Sequence, residues 1–491
     1  MEISTILYAA YFVTTTGLLA YGAMAYVHLL LFALRHRAHR ATNAALLARA
    51  AATPDAELPR VTTQLPLFNE PNVAERLLRA VAASDYPRDR HEIQVLEDST
   101  DETCAIVDVV AAELRAAGHD IRVIRREART GYKAGALREG MASATGEFFA
   151  IFDADFLPAP DFLRRTVPVF ALCPEIGFLQ TRWTHLNPRQ SLLTEAQATG
   201  IDAHFIIEQT ARAASGLFMN FNGSAGIWRR QAIVDAGGWQ DDTLTEDLDL
   251  SFRAQLAGWS PCYLPEIGVP GEIPAAVSAY RRQQFRWAKG SIQTARKLLP
   301  AVLKAKVSPL KKIIGCMHLT HFLVHLLLLV HCLLALPILI WCRATPPEPW
   351  FTLFCMVGGF LLAAPLAIYL TAMLSMPRSE RGRLRSVPAI ILLGGGLALS
   401  NGRAVIEALL GVRSGFLRTP KAGILPNSAR ATRSVRSWMP VLEVALGIYA
   451  LVALFLFLAR GGWFLGPFLL VYVCGLLYLG INDLRDQRNV D

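Results

Sequence analysis

The chain has 491 residues, of which 53% are hydrophobic and only 18% charged, a balance too apolar for a purely soluble protein, so part of it belongs in lipid. Its formal charge of +9 is not a nucleic-acid signature, because Lys and Arg gather beside apolar runs, as in Arg35-His36-Arg37 and Lys311-Lys312, where they orient helices in a bilayer. Eight cysteines lack paired spacing, and Cys316, Cys332, Cys342, Cys355 and Cys474 fall in apolar tracts, which argues against a disulfide framework or a zinc site.

The first apolar tract, Ile6 to Leu34, is too long for a signal-peptide core and is followed by a basic cluster, so residues 1–34 read as a retained transmembrane anchor. Basic residues from Arg35 to Arg40 place the following chain in the cytoplasm, through a linker at 35–56. The polar block 57–300 contains five strand-like runs, Val61 to Leu65, Ile93 to Leu96, Ile121 to Ile124, Phe148 to Phe152 and Gly177 to Gln180, separated by helical patterns. Such alternation predicts βαβ units and a parallel sheet. Ligands then gather at the carboxyl ends of the strands, where Pro66 to Glu70, Glu97 to Asp101 and Asp153 to Asp155 would converge.

After an interfacial segment at 301–312, two helices within 313–376 cross outward and back, Ile313 to Trp341 and Phe351 to Met376, with Thr345 to Trp350 as the external turn. The basic stretch Arg378 to Arg385 marks the return to the cytoplasm. Segment 388–411 carries Asn401, Arg403 and Glu407, which favours a re-entrant or interfacial helix over a span. A basic loop at 412–437 precedes two more crossings within 438–481, Met439 to Leu458 and Trp463 to Ile481, and a cytoplasmic tail, 482–491. The expectation is a multi-pass protein of the plasma (inner) membrane, with the polar block cytoplasmic and the lipid bilayer as a partner.

Four motifs carry chemistry. Asp153-Ala154-Asp155 follows the apolar run Phe148 to Phe152, and two carboxylates at a strand end can hold a divalent cation against a diphosphate; a solvated turn is the competing reading. Thr245-Glu246-Asp247-Leu248-Asp249 looks like a helix start with Thr245 as N-cap, a role compatible with Asp247 also deprotonating a hydroxyl. The turn Arg129-Thr130-Gly131-Tyr132-Lys133-Ala134-Gly135 offers two cations to a diphosphate. Gln283, Arg286 and Trp287 share one helical face, where Arg286 could steady a departing diphosphate and Trp287 stack on a sugar; an Arg and a Trp resting on the membrane surface is the alternative. His318, His321 and His325 form one helical stripe, with His331 on another face, read as packing or a polar path rather than a metal or haem site.

Taken in order, these residues resemble the membrane-integrated family 2 glycosyltransferases, in the cellulose synthase-like and mannan synthase-like branch, strongly over Arg60 to Trp287. Phe416-Leu417-Arg418-Thr419-Pro420-Lys421 weakly resembles the gating loop of cellulose synthases. The resemblance implies an α/β GT-A (Rossmann-like) cytoplasmic domain joined to an α-helical transmembrane domain, an inverting reaction, Asp247 as base, and Mg²⁺ or Mn²⁺ held by Asp153 and Asp155. By the same resemblance Phe68, Asn69, Glu70, Glu97 and Asp98 cradle the nucleotide, while Lys133, Gln283, Arg286, Thr419 and Lys421 meet its phosphates. Phe221-Asn222-Gly223-Ser224 looks like the acceptor-side loop, and Trp183, Asn222, Gly223, Glu246 and Trp287 would face the acceptor. Where the family usually has two adjacent Asp residues, this chain has Glu97-Asp98.

The implied activity is that of a metal-dependent hexosyltransferase. It would polymerise hexose from UDP-glucose or GDP-mannose onto a growing glycan acceptor as a β-linked polysaccharide and translocate it. Transfer of one sugar to a membrane lipid, a ceramide, diacylglycerol or polyprenyl phosphate, is the alternative, and a membrane protein without catalysis the third reading. No appended regulatory domain is visible, so control by a second messenger would need accessory subunits.

Overall fold

The computed structural model describes residues 3–341, 358–415, 437–460 and 466–488. Seven strands form one sheet: β1 (Val61–Leu67), β2 (His91–Glu97), β3 (Asp120–Arg125), β4 (Phe148–Ile151), β5 (Ile176–His185), β6 (Gly226–Arg229) and β7 (Ser260–Gly271), in the order β3-β2-β1-β4-β6-β5-β7. The five expected strands are present. The sheet is mixed rather than parallel, because β6 runs antiparallel to both β4 and β5. Neither β6 nor β7 was expected: β6 has only four residues, and Pro261, Pro265 and Pro270 in β7 read against a strand. A proline-rich strand is tolerated at a sheet edge, and β7 pairs with β5 alone.

Helices cover both faces. Phe148 and Ala150 of β4 enter one core cluster with Leu77, Leu78 and Val107, while Phe149 and Ile151 enter the other with Phe178, Trp228 and Leu250. Alternate residues face opposite layers and both layers are buried, which is why β4 is apolar throughout. Together the sheet and its flanking helices make an α/β domain, joined to several long apolar helices.

Among the described residues four helices are long and apolar enough to cross a membrane: Ile3–Ala51, Leu323–Trp341, Met439–Ala459 and Gly466–Gln487. The first does not stop near Leu34 but continues to Ala51, through the stretch expected as a linker, with Pro54 just beyond its end. Its distal end docks on the sheet, with Asn43 Nδ2 donating to the Tyr263 carbonyl at 3.0 Å. The expected single helix Ile313 to Trp341 is two, Pro309–Thr320 and Leu323–Trp341, with His321 in the break, so His318 and His325 sit on different helices. Segment 388–411 lies in a pair, Arg378–Gly396 and Ala398–Leu409, bent by 45°. Of the span expected from Phe351 to Met376, the described part includes the short apolar helix Ala364–Ser375.

The 28-residue helix Val277–Lys304 joins the two regions. Near its start the Arg281 guanidinium is clasped by two fully buried carboxylates, Glu443 at 3.0 Å and Asp483, one from each of the last two helices.

Candidate active site

The chain order of the parallel strands reverses between β1 and β4, and a cleft opens beyond their carboxyl ends, the position at which α/β sheets bind ligands. The residues that follow β1 contribute Phe68 and Glu70, and those that follow β4 contribute Asp153 and Asp155. The Asp153 backbone N–H donates to Ser224 Oγ at 2.9 Å, which fixes the β4 turn against the loop before β6. Lys133, in the first turn of the helix Tyr132–Ser143, reaches into the same corner: its Nζ lies 2.5 Å from Asp153 Oδ1, 2.7 Å from the Gly223 carbonyl and 4.0 Å from Glu246 Oε1.

Asp247 opens the helix Glu246–Leu256, and its Oδ1 accepts the Leu248 N–H at 2.8 Å. Enclosure by protein, reinforced by the charge of Glu246, pushes its carboxyl up to about 7, against the opposing pull of Lys133. Thr245 does not cap this helix with its side chain; its hydroxyl lies 3.2 Å from Thr294 Oγ1 instead. That contact is possible because Gly290 lets the Val277–Lys304 helix approach, a Cβ there falling 2.6 Å from Thr245 Cγ2. On the opposite wall Gly223 has φ +83°, and an added Cβ would lie 2.9 Å from Asp247 Oδ2. Only glycine adopts that turn without strain and leaves the oxygen uncovered.

Gln283, Arg286 and Trp287 line the cleft from the joining helix, as their shared face predicts. Burial lowers the affinity of the Arg286 guanidinium for its proton, and the charges of Glu246, Asp153, Asp247 and Asp155 oppose that shift. Four carboxylates therefore meet two cations, Lys133 and Arg286, in this corner. Among the described residues no group of three or more His, Cys, Asp or Glu could hold a metal ion by themselves. The excess of carboxylate fits a cation held by Asp153 and Asp155 and completed by oxygens of an anionic ligand.

Trp183, Asn222, Gly223 and Glu246 also line the cleft. The Trp183 indole N–H donates to the Ser224 carbonyl at 3.1 Å, and its ring packs on Phe156 and Phe205. At the other end Asp98 is on the lining, with its carboxylate oxygens engaged by Arg126, Nε to Oδ1 at 3.0 Å and Nη2 to Oδ2. Asn69 and Glu97 are not among the lining residues. Asn69 Oδ1 accepts the Thr100 N–H at 2.8 Å, which clips the loops after β1 and β2 together, and Glu97 Oε1 accepts the Ser99 N–H at 2.7 Å within the loop that leaves β2. Thr419, Lys421 and the rest of the Phe416 to Lys421 segment lie outside the described residues.

Arg129, one of the two cations expected to meet a diphosphate, stacks its guanidinium 3.4 Å from the Phe68 ring centroid on the cleft wall. Sequence reasoning missed two groups. Arg126 had no signal beyond its charge. The other, His204, Glu208 and Arg212, stands behind Asn222, on a stretch that carried no motif.

Residues 59–290 match the family described as Glycosyltransferase like family 2. A rice (Oryza sativa subsp. japonica) protein named probable glucomannan 4-beta-mannosyltransferase 7 is 44% identical over 261 residues, 52% of this chain and 45% of that protein. The Arabidopsis thaliana glucomannan 4-beta-mannosyltransferase 2 is 43% identical over 252 residues, 50% of this chain and 47% of that protein. The chain thus spans about half the length of the curated relatives it matches. Among solved structures, the mannosyltransferase PcManGT from Pyrobaculum calidifontis in complex with GDP-Man and Mn²⁺ superposes with a TM-score of 0.50 at 21% identity, covering 79% of this chain and all of that one; it is the same fold.

Proposed function

We propose, from the premise that this chain belongs to the membrane-integrated family 2 glycosyltransferases in their cellulose synthase-like branch, that it is an inverting hexosyltransferase extending a β-linked polysaccharide. The observation that carries this reading is the meeting of Asp153, Asp155, Asp247 and Arg286, from three distant parts of the sequence, in one cleft. Phe68, Glu70 and Arg129 receive the nucleotide end, and Lys133, Gln283 and Arg286 face the diphosphate. Asp153 and Asp155 would hold Mg²⁺ or Mn²⁺, whose charge neutralises the diphosphate when it is bound.

Asp247 acts as general base through Oδ2, the oxygen beside Gly223, since Oδ1 is held by the Leu248 N–H. The acceptor hydroxyl oxygen bonds to the anomeric carbon as the bond from that carbon to the diphosphate breaks, and the hydroxyl proton passes to Asp247. One displacement converts an α-linked donor into a β-linked product. Arg286 and Lys133 stabilise the charge that builds on the leaving diphosphate. Trp183 and Trp287 flank the acceptor end with aromatic faces suited to sugar rings.

The donor is a hexose nucleotide, UDP-glucose or GDP-mannose, and the mannosyltransferase names of the relatives favour the mannosyl donor. Residues 57–300 are the catalytic domain, on the cytoplasmic face of the plasma (inner) membrane, and the apolar helices carry the product outward. Membranes containing the protein, given labelled GDP-mannose or UDP-glucose with Mg²⁺ or Mn²⁺, should yield material that a β-mannanase or β-glucanase degrades. Label found only in organic extracts would replace this reading with transfer to a lipid.

A further inference from the structure

Behind the acceptor wall stands a polar chain that the reaction as described does not use. The helix Leu192–Ala203 passes into a single π-helical stretch, His204–Gln209, before Thr210–Ala214, and such one-residue insertions concentrate at functional sites. From this stretch His204 Nε2 lies 3.1 Å from Asn222 Oδ1, while its Nδ1 lies 3.0 Å from Glu208 Oε2. Arg212, almost wholly buried, stands 3.6 Å from the same Glu208 oxygen and places Nη1 2.8 Å from His318 Nδ1, on the helix Pro309–Thr320. A line of contacts therefore runs from a helix beside the membrane-spanning bundle to the wall of the cleft.

Its end point is tightly held. Asn222 Oδ1 also accepts from Asn220 Nδ2 at 2.7 Å, and the Asn222 backbone N–H donates to Gln180 Oε1 at 2.8 Å. Its amide nitrogen is buried and has no hydrogen-bond partner among the described residues, although Asn222 lines the cleft. The next residue is Gly223, the one that walls Asp247 Oδ2 and whose carbonyl accepts from Lys133. A buried amide with its oxygen doubly engaged and its N–H₂ unspent is poised as a donor, and leaving it unspent costs stability unless a ligand takes it.

We infer that His204 is a positioning residue of the acceptor site: by fixing the Asn222 amide it aims a donor at a hydroxyl of the acceptor sugar, and so keeps the attacking oxygen, rather than water, at Asp247. The inference rests on the glycosyltransferase reading of the cleft. Water competes by the same displacement: its oxygen bonds to the anomeric carbon, the diphosphate leaves, and Asp247 takes the proton, giving free sugar. Loosening Asn222 should weaken the acceptor's hold far more than water's.

The two ring nitrogens allow a test with nearly isosteric changes. His204→Gln keeps a donor where Nε2 meets Asn222, whereas His204→Asn keeps only the Nδ1 side toward Glu208. With labelled GDP-mannose and UDP-glucose, the ratio of free sugar to polymer should rise about ten-fold to a hundred-fold in His204→Asn, with the donor KM unmoved, and His204→Gln should restore most of it. Asn222→Ala should raise the ratio in the same direction, and serves if His204→Asn does not fold. The inference is overturned by an unchanged ratio in His204→Asn and Asn222→Ala, or by equal loss of hydrolysis and transfer, which marks a merely structural role. A wild-type protein that neither transfers nor hydrolyses either donor would instead remove the underlying reading of the cleft.

Discussion

The two halves of the sheet were built to different rules. On one side β3, β2, β1 and β4 are parallel, each joined to the next through a helix, and their loops deliver Phe68, Glu70 and Asp153 to the cleft. On the other, the short antiparallel β6 is wedged between β4 and β5, and the loop before it delivers Asn222 and Gly223. The first half is a repeating scaffold; the second is an irregular wall that comes close to one oxygen of Asp247. Under the proposed function the chemistry sits on the seam, so changes on either side should separate donor binding from transfer.

The largest separation is expected at Asp247. Asp247→Asn keeps the size of the side chain and removes the base, so transfer should fall by about 10² to 10⁴ while donor binding, measured by calorimetry, persists. A retained rate would break the assignment of the second half to the acceptor. Next comes the clamp in the first half. Asp98 and Arg126 are both nearly buried, so Asp98→Asn should cost stability toward the lower end of about 3–5 kcal/mol, because Arg126 still has the Thr130 and Tyr132 carbonyls. The melting temperature in detergent reads this out.

Gly290→Ala tests the seam. An added Cβ would sit 2.6 Å from Thr245 Cγ2 and 2.8 Å from its backbone nitrogen, so the joining helix must move, at about 1–3 kcal/mol. Arg286 moves with it relative to Asp247, and turnover should fall more than donor affinity. Smaller again is the pH effect. A base whose carboxyl is raised to about 7 is mostly protonated, and so idle, in more acidic solution. Accordingly kcat/KM should fall about ten-fold for each pH unit below that point, and the acid limb should vanish in Asp247→Asn.

How much of this was legible in the sequence follows the same division. The runs Phe148 to Phe152 and Val61 to Leu65 announce buried parallel strands because both faces are covered, and the acidic triplets stand out against them. β7 was hidden by its prolines, which an edge strand tolerates, and β6 by its brevity. Thr245 has the residue type of an N-cap, but a neighbouring helix took its hydroxyl. Hydropathy located apolar segments without showing how they are used: it gave neither the break at His321 nor the docking of the first helix's distal end, where Asn43 meets the Tyr263 carbonyl of β7. His204 gave no sign, since its meaning comes from Asn222, eighteen positions away in the chain and adjacent only in the fold.

The smallest expected effect decides what Asn69 is for. The resemblance makes it a nucleotide contact; in the structure it is a turn residue at φ 54° whose side chain accepts the Thr100 N–H. Glycine adopts that backbone freely but loses the side-chain contacts with Thr100, of which the 2.8 Å bond is the shortest, so Asn69→Gly should cost about 0.5–1.5 kcal/mol. Alanine loses the same contacts and adds left-handed strain, and should be worse by about 1–2 kcal/mol. If the residue is a clip, donor KM stays near the wild-type value in Asn69→Gly, because the turn it joins still forms. A donor KM raised in Asn69→Gly as much as in Asn69→Ala would mean that the side chain itself touches the nucleotide, and would return Asn69 to the binding half of the sheet.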